Sequence, residues 1–165
     1  RMRDEKEFFC ECIRQHEKSM YTLAFSILKN ENDAADIMQE AILKAYCNMD
    51  NLQDKKKFKS WILSIVHNTA IDFLRKHRET VDIEDQWGIS APEPPIDMAA
   101  KLTVWEAVQK LKPPYRTVVV LFYYDNLPVQ KISDITSTPA VTVRQQLFRA
   151  RKMLAKLLNK EDFAQ

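Results

Sequence analysis

Residues 143–157 carry a basic face with an aromatic residue set into it. Val143, Leu147, Ala150, Leu154 and Leu157 recur at three- and four-residue intervals, so a helix would gather them on one apolar side. Gln145, Phe148, Arg149, Lys152 and Lys156 then fall on the opposite side, flanked by Arg144 and Arg151. Core packing does not account for a phenylalanine among cations. Arginine and glutamine pair bidentately with guanine and adenine edges in the major groove, and an apolar side chain can touch the thymine methyl. An acidic protein partner or a membrane surface would also suit such a face. A second group mixes cations and rings: Lys55-Lys56-Lys57-Phe58-Lys59-Ser60-Trp61, then His67-Asn68 and Arg75-Lys76-His77-Arg78. Lysines hold phosphates, and polar or aromatic groups receive unstacked bases, which is how single strands are bound. Trp61 alone is more often a core residue than a base platform. No Asp, Ser or Cys stands in triad spacing to His67, which therefore reads as a polar groove residue and not as a catalyst.

Charge is segregated along the chain although the net is only +2. Residues 4–50 hold ten acidic and five basic residues, and residues 55–78 hold seven basic and one acidic. Residues 79–97 hold six acidic and no basic residues, and residues 139–160 six basic and no acidic. Two basic blocks separated by an acidic stretch point to two contacts with a polyanion. Cys10, Cys12 and Cys47 are odd in number and lack CxxC spacing, which argues against a disulfide framework or a zinc site. On a helix Cys10 and Cys12 would sit about 200° apart, poor geometry for one ion. Reduced, cytoplasmic thiols and no metal are expected. No run approaches the roughly 18 apolar residues of a membrane span, and no signal peptide is evident.

A single glycine, Gly88, disfavours hairpin-rich folds and glycine-rich phosphate loops. Helices ended by Asn, Pro and Asp fit better. Residues 4–29 read as helix, with a bend expected near His16. Asn30-Glu31-Asn32-Asp33 stops and restarts the chain. A second helix follows to about Met49, with Ile37, Ala41, Leu43, Ala45 and Tyr46 facing largely inward. After a loop over 51–57, a third spans about Phe58 to His77. Residues 79–96, with Gly88, Pro92, Pro94 and Pro95, suit an exposed acidic linker. Beyond it, Asp97 is a candidate cap for a helix to Leu111, and Tyr115–Tyr124 follows Pro113-Pro114. A short helix over Val129–Thr136, the turn Ser137-Thr138-Pro139 and a helix over Val141–Leu158 make a helix-turn-helix.

The run Asp33-Ala-Ala-Asp-Ile-Met-Gln-Glu-Ala-Ile-Leu-Lys-Ala-Tyr46 resembles the polymerase-binding segment of extracytoplasmic-function sigma factors. Phe58-Lys-Ser-Trp-Ile-Leu-Ser-Ile-Val-His-Asn-Thr-Ala-Ile-Asp-Phe-Leu-Arg75 is similar to their promoter-melting helix. Leu111-Lys-Pro-Pro-Tyr-Arg-Thr-Val-Val-Val-Leu and Val143-Arg-Gln-Gln-Leu-Phe-Arg-Ala-Arg151 resemble their −35-reading domain. The resemblance implies an all-α fold of two small helical domains. A region 2 bundle over 1–78 and a region 4 helix-turn-helix over 97–165 would be joined by a flexible linker over 79–96. It assigns Asp33, Asp36, Gln39 and Glu40 to the clamp helices of the polymerase largest subunit. It gives Lys55, Lys57, Lys59, Trp61, His67, Asn68 and Arg75 to the −10 element and its melting, with the 51–57 loop capturing a flipped base. Arg144, Gln145, Phe148 and Arg149 would read the −35 element, with Arg151 and Lys152 on phosphates.

Implied partners are core RNA polymerase, through clamp helices and flap, promoter DNA, and a membrane-anchored anti-sigma factor. That inhibitor would hold the cytoplasmic chain at the inner membrane face during an envelope or stress response. No cofactor, small-molecule substrate or enzymatic activity is implied. Three positions depart from the pattern: Leu63-Ser64 where Tyr-Arg is frequent, Val141 where glycine is usual, and Gln146 where a basic residue is usual. Two other readings use the same residues. One is a stand-alone helix-turn-helix regulator with a sensing N-terminal domain. The other is a helical metal-dependent hydrolase built on His16, Asp33, Asp36 and Glu40, though no HExxH accompanies them.

Overall fold

The first helix, α1 (Met2–Leu28), stops at Lys29, whose backbone turns left-handed at φ 51°. Asn30 then caps α2 (Glu31–Cys47) by accepting from the Asp33 N–H at 2.9 Å. Two 3-10 turns follow, Met49–Asn51 and Lys55–Lys57, the second capped by the Asp54 carboxylate on the Lys56 N–H. They lead into α3 (Phe58–Thr80). The chain is described here by a computed structural model covering residues 2–80 and 103–158. The expected linker from residue 81 onward, and the expected cap Asp97, lie outside that range.

The second unit opens with Thr103, whose Oγ1 accepts from the Glu106 N–H at 3.1 Å to cap α4 (Val104–Lys110). Helix α5 (Tyr115–Val119) widens into a π-helical turn over Val120–Tyr124, closed by the Asp125 N–H on the Val120 carbonyl. Helices α6 (Val129–Thr136) and α7 (Ala140–Leu157) complete the helix-turn-helix. Ser137 makes the turn between them at φ 53°. A residue with a Cβ resists that conformation, and the turn compensates with local bonds. Ser133 donates its hydroxyl to the Thr138 carbonyl at 2.6 Å, and the Thr138 N–H returns to the Ser133 carbonyl at 3.1 Å. All seven α-helices of the described residues belong to these two units.

The expected bend near His16 is absent, and α1 runs unbroken past it. His16 stacks on Phe58 instead, with ring centres 5.8 Å apart. Phe58 is the hub of this end of the bundle, meeting Phe8 and Phe9 edge-on, each at 6.1 Å. Met20, Leu23, Ile37, Ile62 and Val66 are fully buried in the first unit, as are Val108, Leu121, Ile132, Ile135 and Leu147 in the second. Each contributes roughly 1.5–3 kcal/mol of burial. Leu63 is buried too, so the leucine at this departure from the family pattern serves the core. Leu43 and Tyr46 do not face inward: Leu43 is 66% exposed and Tyr46 is exposed beside it.

The two apolar sets merge into one cluster, with a buried cation at their junction. Arg116 is 3% exposed. Its Nε donates to the Ser26 carbonyl of α1, and Nη1 donates to the Leu111 carbonyl at 2.7 Å. Burial pushes its pKa down to about 10, still high enough to keep it charged at neutral pH. Arg116→Ala strands both carbonyls, so urea unfolding is expected to show a loss of about 2–4 kcal/mol. Arg144→Ala, on an exposed face, should stay within about 0.5 kcal/mol of the parent. Equal stability of the two variants would mean that the carbonyls find other donors.

Candidate nucleic-acid interface

Helix α7 separates its two faces cleanly. Val143, Leu147 and Ala150 are buried against the second unit, while Arg144, Gln145, Phe148 and Arg149 are exposed. Phe148 is 56% exposed, and the Lys152 ammonium lies 4.5 Å from its ring centre. That contact holds a ring and a cation side by side at the surface, where a thymine methyl and a phosphate could be met together. Arg151 is engaged differently. Its Nε donates to the Tyr123 hydroxyl at 2.6 Å, and its guanidinium lies 5.8 and 5.7 Å from the Phe122 and Tyr123 rings. It ties α7 to the π-turn, leaving its terminal nitrogens as the atoms able to face a phosphate.

Of the candidate residues on and just before α3, some line two grooves and others are engaged elsewhere. Lys57 and Trp61 line one of about 350 Å³ with Asn51 and Asp54 of the preceding loop, and Asp134 of α6 stands on its rim. Lys55 turns away, its ammonium 4.8 Å from the Phe8 ring centre. Lys59 reaches across to the second unit and donates to the Asp125 carbonyl at 3.1 Å. His67 and Arg75 line the second groove, about 690 Å³, whose far wall is Pro114, Val118 and Gln146. Burial pushes the His67 imidazole below its ordinary value, opposed by its bond with Asn68, so it is neutral at pH 7. Its Nδ1 is buried without a protein partner among the described residues. Asn68 is exposed, and Arg75 is exposed and paired with Asp72 at 3.8 Å.

Helix α2 presents Asp36, Gln39 and Glu40 to solvent, with Asp33 half-buried in the first turn. Glu40 pairs with Lys44 at 3.4 Å. Leu43 and Tyr46 extend the same exposed side, one and two turns further on. The apolar spacing of α2 supports two stripes, and the second is covered only where the Tyr46 ring meets Phe9 edge-on at 5.5 Å. A further exposed aromatic set, Trp105, Tyr123 and Tyr124, has no periodic signature in the sequence; Trp105 and Tyr124 meet edge-on at 5.1 Å. Cys10 and Cys47 are exposed and Cys12 is buried, which pushes its thiol up. Among the described residues no three His, Cys, Asp or Glu side chains are placed to hold a metal ion, and no helix is long and apolar enough to cross a membrane.

A helical bundle with a basic, aromatic groove, followed by a helix-turn-helix with an exposed reading face, defines a two-module nucleic-acid-binding protein. Residues 12–80 match the Sigma-70 region 2 family and residues 101–154 the Sigma-70 region 4 family. RNA polymerase sigma factor SigV of Bacillus subtilis is 34% identical over 96% of this chain and 96% of its own length. The ECF sigma factor SigW of the same species is 28% identical over 93% and 90%. Among solved structures, the sigma factor RpoE of Bartonella quintana, in complex with the anti-sigma factor NepR, is similar in fold. Its TM-score is 0.71 at 21% identity, covering 90% of this chain and 95% of that one. The chain belongs to the sigma-70 family and is an extracytoplasmic-function sigma factor of RNA polymerase. The stand-alone regulator is thereby set aside.

If Arg149 pairs with a base, Arg149→Ala should lose roughly 1–3 kcal/mol of discrimination at one position of the −35 element. Lys152→Ala should weaken every sequence alike and reduce the salt slope by about 1. Competition binding of holoenzyme to single-position promoter variants at two salt concentrations separates the two. A uniform loss with Arg149→Ala would reduce α7 to an electrostatic clamp.

Proposed function

We propose that this chain docks on core RNA polymerase through Asp33, Asp36, Gln39 and Glu40 of α2, against the clamp helices of the largest subunit. In this reading the C-terminal unit lies at the flap. Region 2 occupies 1–78, the tether 79–96 and region 4 97–165. Region 2 opens the −10 element through Lys55, Lys57, Lys59, Trp61, His67, Asn68 and Arg75. Region 4 reads the −35 element with Arg144, Gln145, Phe148 and Arg149, and Arg151 and Lys152 hold phosphates. The observation that carries the reading is the exposed Phe148 within a cationic face whose reverse side is core. Leu43 and Tyr46 join the docking surface, because exposed apolar groups beside carboxylates suit the core of an interface with a polar rim.

Two basic modules grip two DNA elements together only when a scaffold fixes their spacing. Polymerase supplies that scaffold and raises the effective concentration of the second contact. The chain therefore directs initiation without catalysing a reaction and needs no cofactor. It works in the cytoplasm, restrained by a membrane-anchored anti-sigma factor until an envelope or stress signal arrives. RpoE of Bartonella quintana is bound to an anti-sigma factor in its solved structure, and CnrH is solved in complex with the cytosolic domain of CnrY. Run-off transcription with core polymerase on a genomic library would identify the promoters, and failure to direct any start site would overturn the reading.

The docking assignment has its own test. Substituting Ala for Asp36, Gln39 and Glu40 together should lower core-enzyme affinity about tenfold or more while leaving helicity unchanged, since interface charges act on the partner and not on the fold. Pull-down at parental strength by the folded triple variant would place the contact elsewhere.

A further inference from the structure

The π-turn that continues α5 brings two rings against α7. Such a turn holds one residue more than an α-helical one, which swings the side chains beyond it around the axis, and it is frequent at functional sites. Val120 and Leu121 stay buried, while Tyr123 is 47% exposed. Phe122 and Tyr123 meet edge-on at 4.9 Å, and the Arg151 guanidinium lies against both rings. Its Nε–H donates to the Tyr123 hydroxyl oxygen at 2.6 Å. A phenol has an accepting oxygen and one hydrogen to give. Here the oxygen takes the Nε–H, so the O–H is directed to some other acceptor. Tyr124, next in sequence, turns to Trp105 instead, at 5.1 Å.

Arg144, Phe148 and Arg151 follow one line along α7, because steps of four and seven residues return to the same side of a helix. Arg151 therefore stands about 10 Å beyond Arg144 along the axis. A recognition helix meets base edges with its N-terminal residues, which leaves this later turn to the backbone. The helix contains no acidic residue, and Arg151 pairs with no carboxylate among the described residues.

We propose that Tyr123 and Arg151 form one phosphate clamp, in which the phenol O–H and the terminal guanidinium nitrogens donate to oxygens of the same backbone phosphate of duplex DNA. The proposal rests on the phosphate role given to Arg151 above, and it adds a direct contact from outside the helix-turn-helix. An arginine that seizes a phosphate from solution loses rotamer freedom in doing so. Here the Nε bond and the two rings hold the side chain beforehand, so less is lost on binding. The bond from Nε also polarises the phenol, which makes its O–H a stronger donor to the phosphate.

A double-substitution cycle on the full-length chain tests the clamp, with random-sequence duplex DNA as the probe at about 50 and 200 mM salt. Tyr123→Phe keeps the ring and removes only the hydroxyl. It should weaken binding about fivefold and leave the salt slope unchanged, because an uncharged donor releases no counterion. Arg151→Ala should weaken binding about tenfold and lower the slope by about 1. The two together should fall well short of the roughly fiftyfold loss that independent contacts would give, since they share one phosphate. Tyr124→Phe should bind as the parent does. Circular dichroism checks that the variants fold, and Arg151→Gln takes the place of the alanine variant if that one does not. Losses that multiply, parental affinity of Tyr123→Phe, or an equal loss with Tyr124→Phe would each overturn the clamp, as would a parent that does not bind the duplex. A salt slope lowered as much by Tyr123→Phe as by Arg151→Ala would also overturn it, because the phenol would then only steer the arginine. Neither polymerase nor a promoter enters the measurement. Failure of run-off transcription beside an intact cycle would count against the proposed function and leave the clamp standing.

Discussion

A guanidinium can be held out of water only when its donors are met. Here that condition joins the two halves of the molecule. Arg116 gives one nitrogen to the Ser26 carbonyl of α1 and another to the Leu111 carbonyl at the end of α4. The corner between α4 and α5 and the seating of α5 on α1 are therefore fixed by one side chain. Helix α7 packs on both α4 and α5, so its exposed cationic face inherits its direction from this corner. Further along, the π-turn that continues α5 sets where Asp125 stands relative to Ser19 and Lys59.

The surface divides by what the fold needs. On α7 the apolar stripe belongs to the core, which frees the opposite side to carry Arg144, Gln145, Phe148 and Arg149 at little cost in stability. Helix α3 has no such freedom. Ile62, Leu63, Val66 and Ala70 are buried, and Lys59, Trp61 and His67 lie between core and solvent. Substitutions on α3 thus disturb packing as well as surface, whereas those on the exposed α7 face change the surface alone.

How much of this was legible in the sequence depended on whether a residue's neighbours were local. Pro128 and Pro139 bracket α6, because a fixed φ and a missing N–H punctuate helices wherever they occur, and Val129–Thr136 is read without error. The cap-forming run Asn30–Asp33 marked the restart for a similarly local reason, although the helix expected from Asp33 begins at Glu31, with Asn30 as its cap. The exposed state of Leu43 and Tyr46 was not legible, since periodicity reveals an apolar face and not what covers it. The bend expected near His16 failed because a distant ring, Phe58, accepts the imidazole. The junction between the units was silent altogether. It runs through Ser19, Ser26, Lys59, Arg116 and Asp125, polar residues that look like surface until their partners arrive from many residues away. For the exposed cationic face of α7 the sequence sufficed to place the residues, because both sides of the helix are written in one segment.

The two kinds of bond at that junction differ in how they would pass between relatives. Arg116 reaches a main-chain carbonyl of α1, an acceptor that every residue at position 26 supplies, provided the helix keeps its place. Ser19 and Asp125 meet through side chains, so either partner can be lost by a single codon change. A chimaera joining this C-terminal unit to the N-terminal unit of a cousin would keep the first bond whatever residue stands at position 26, provided the helix keeps its place. It would keep the second only if the incoming half brings a donor at position 19. Exchange of modules between lineages is thus tolerated by the anchor and filtered by the side-chain pair.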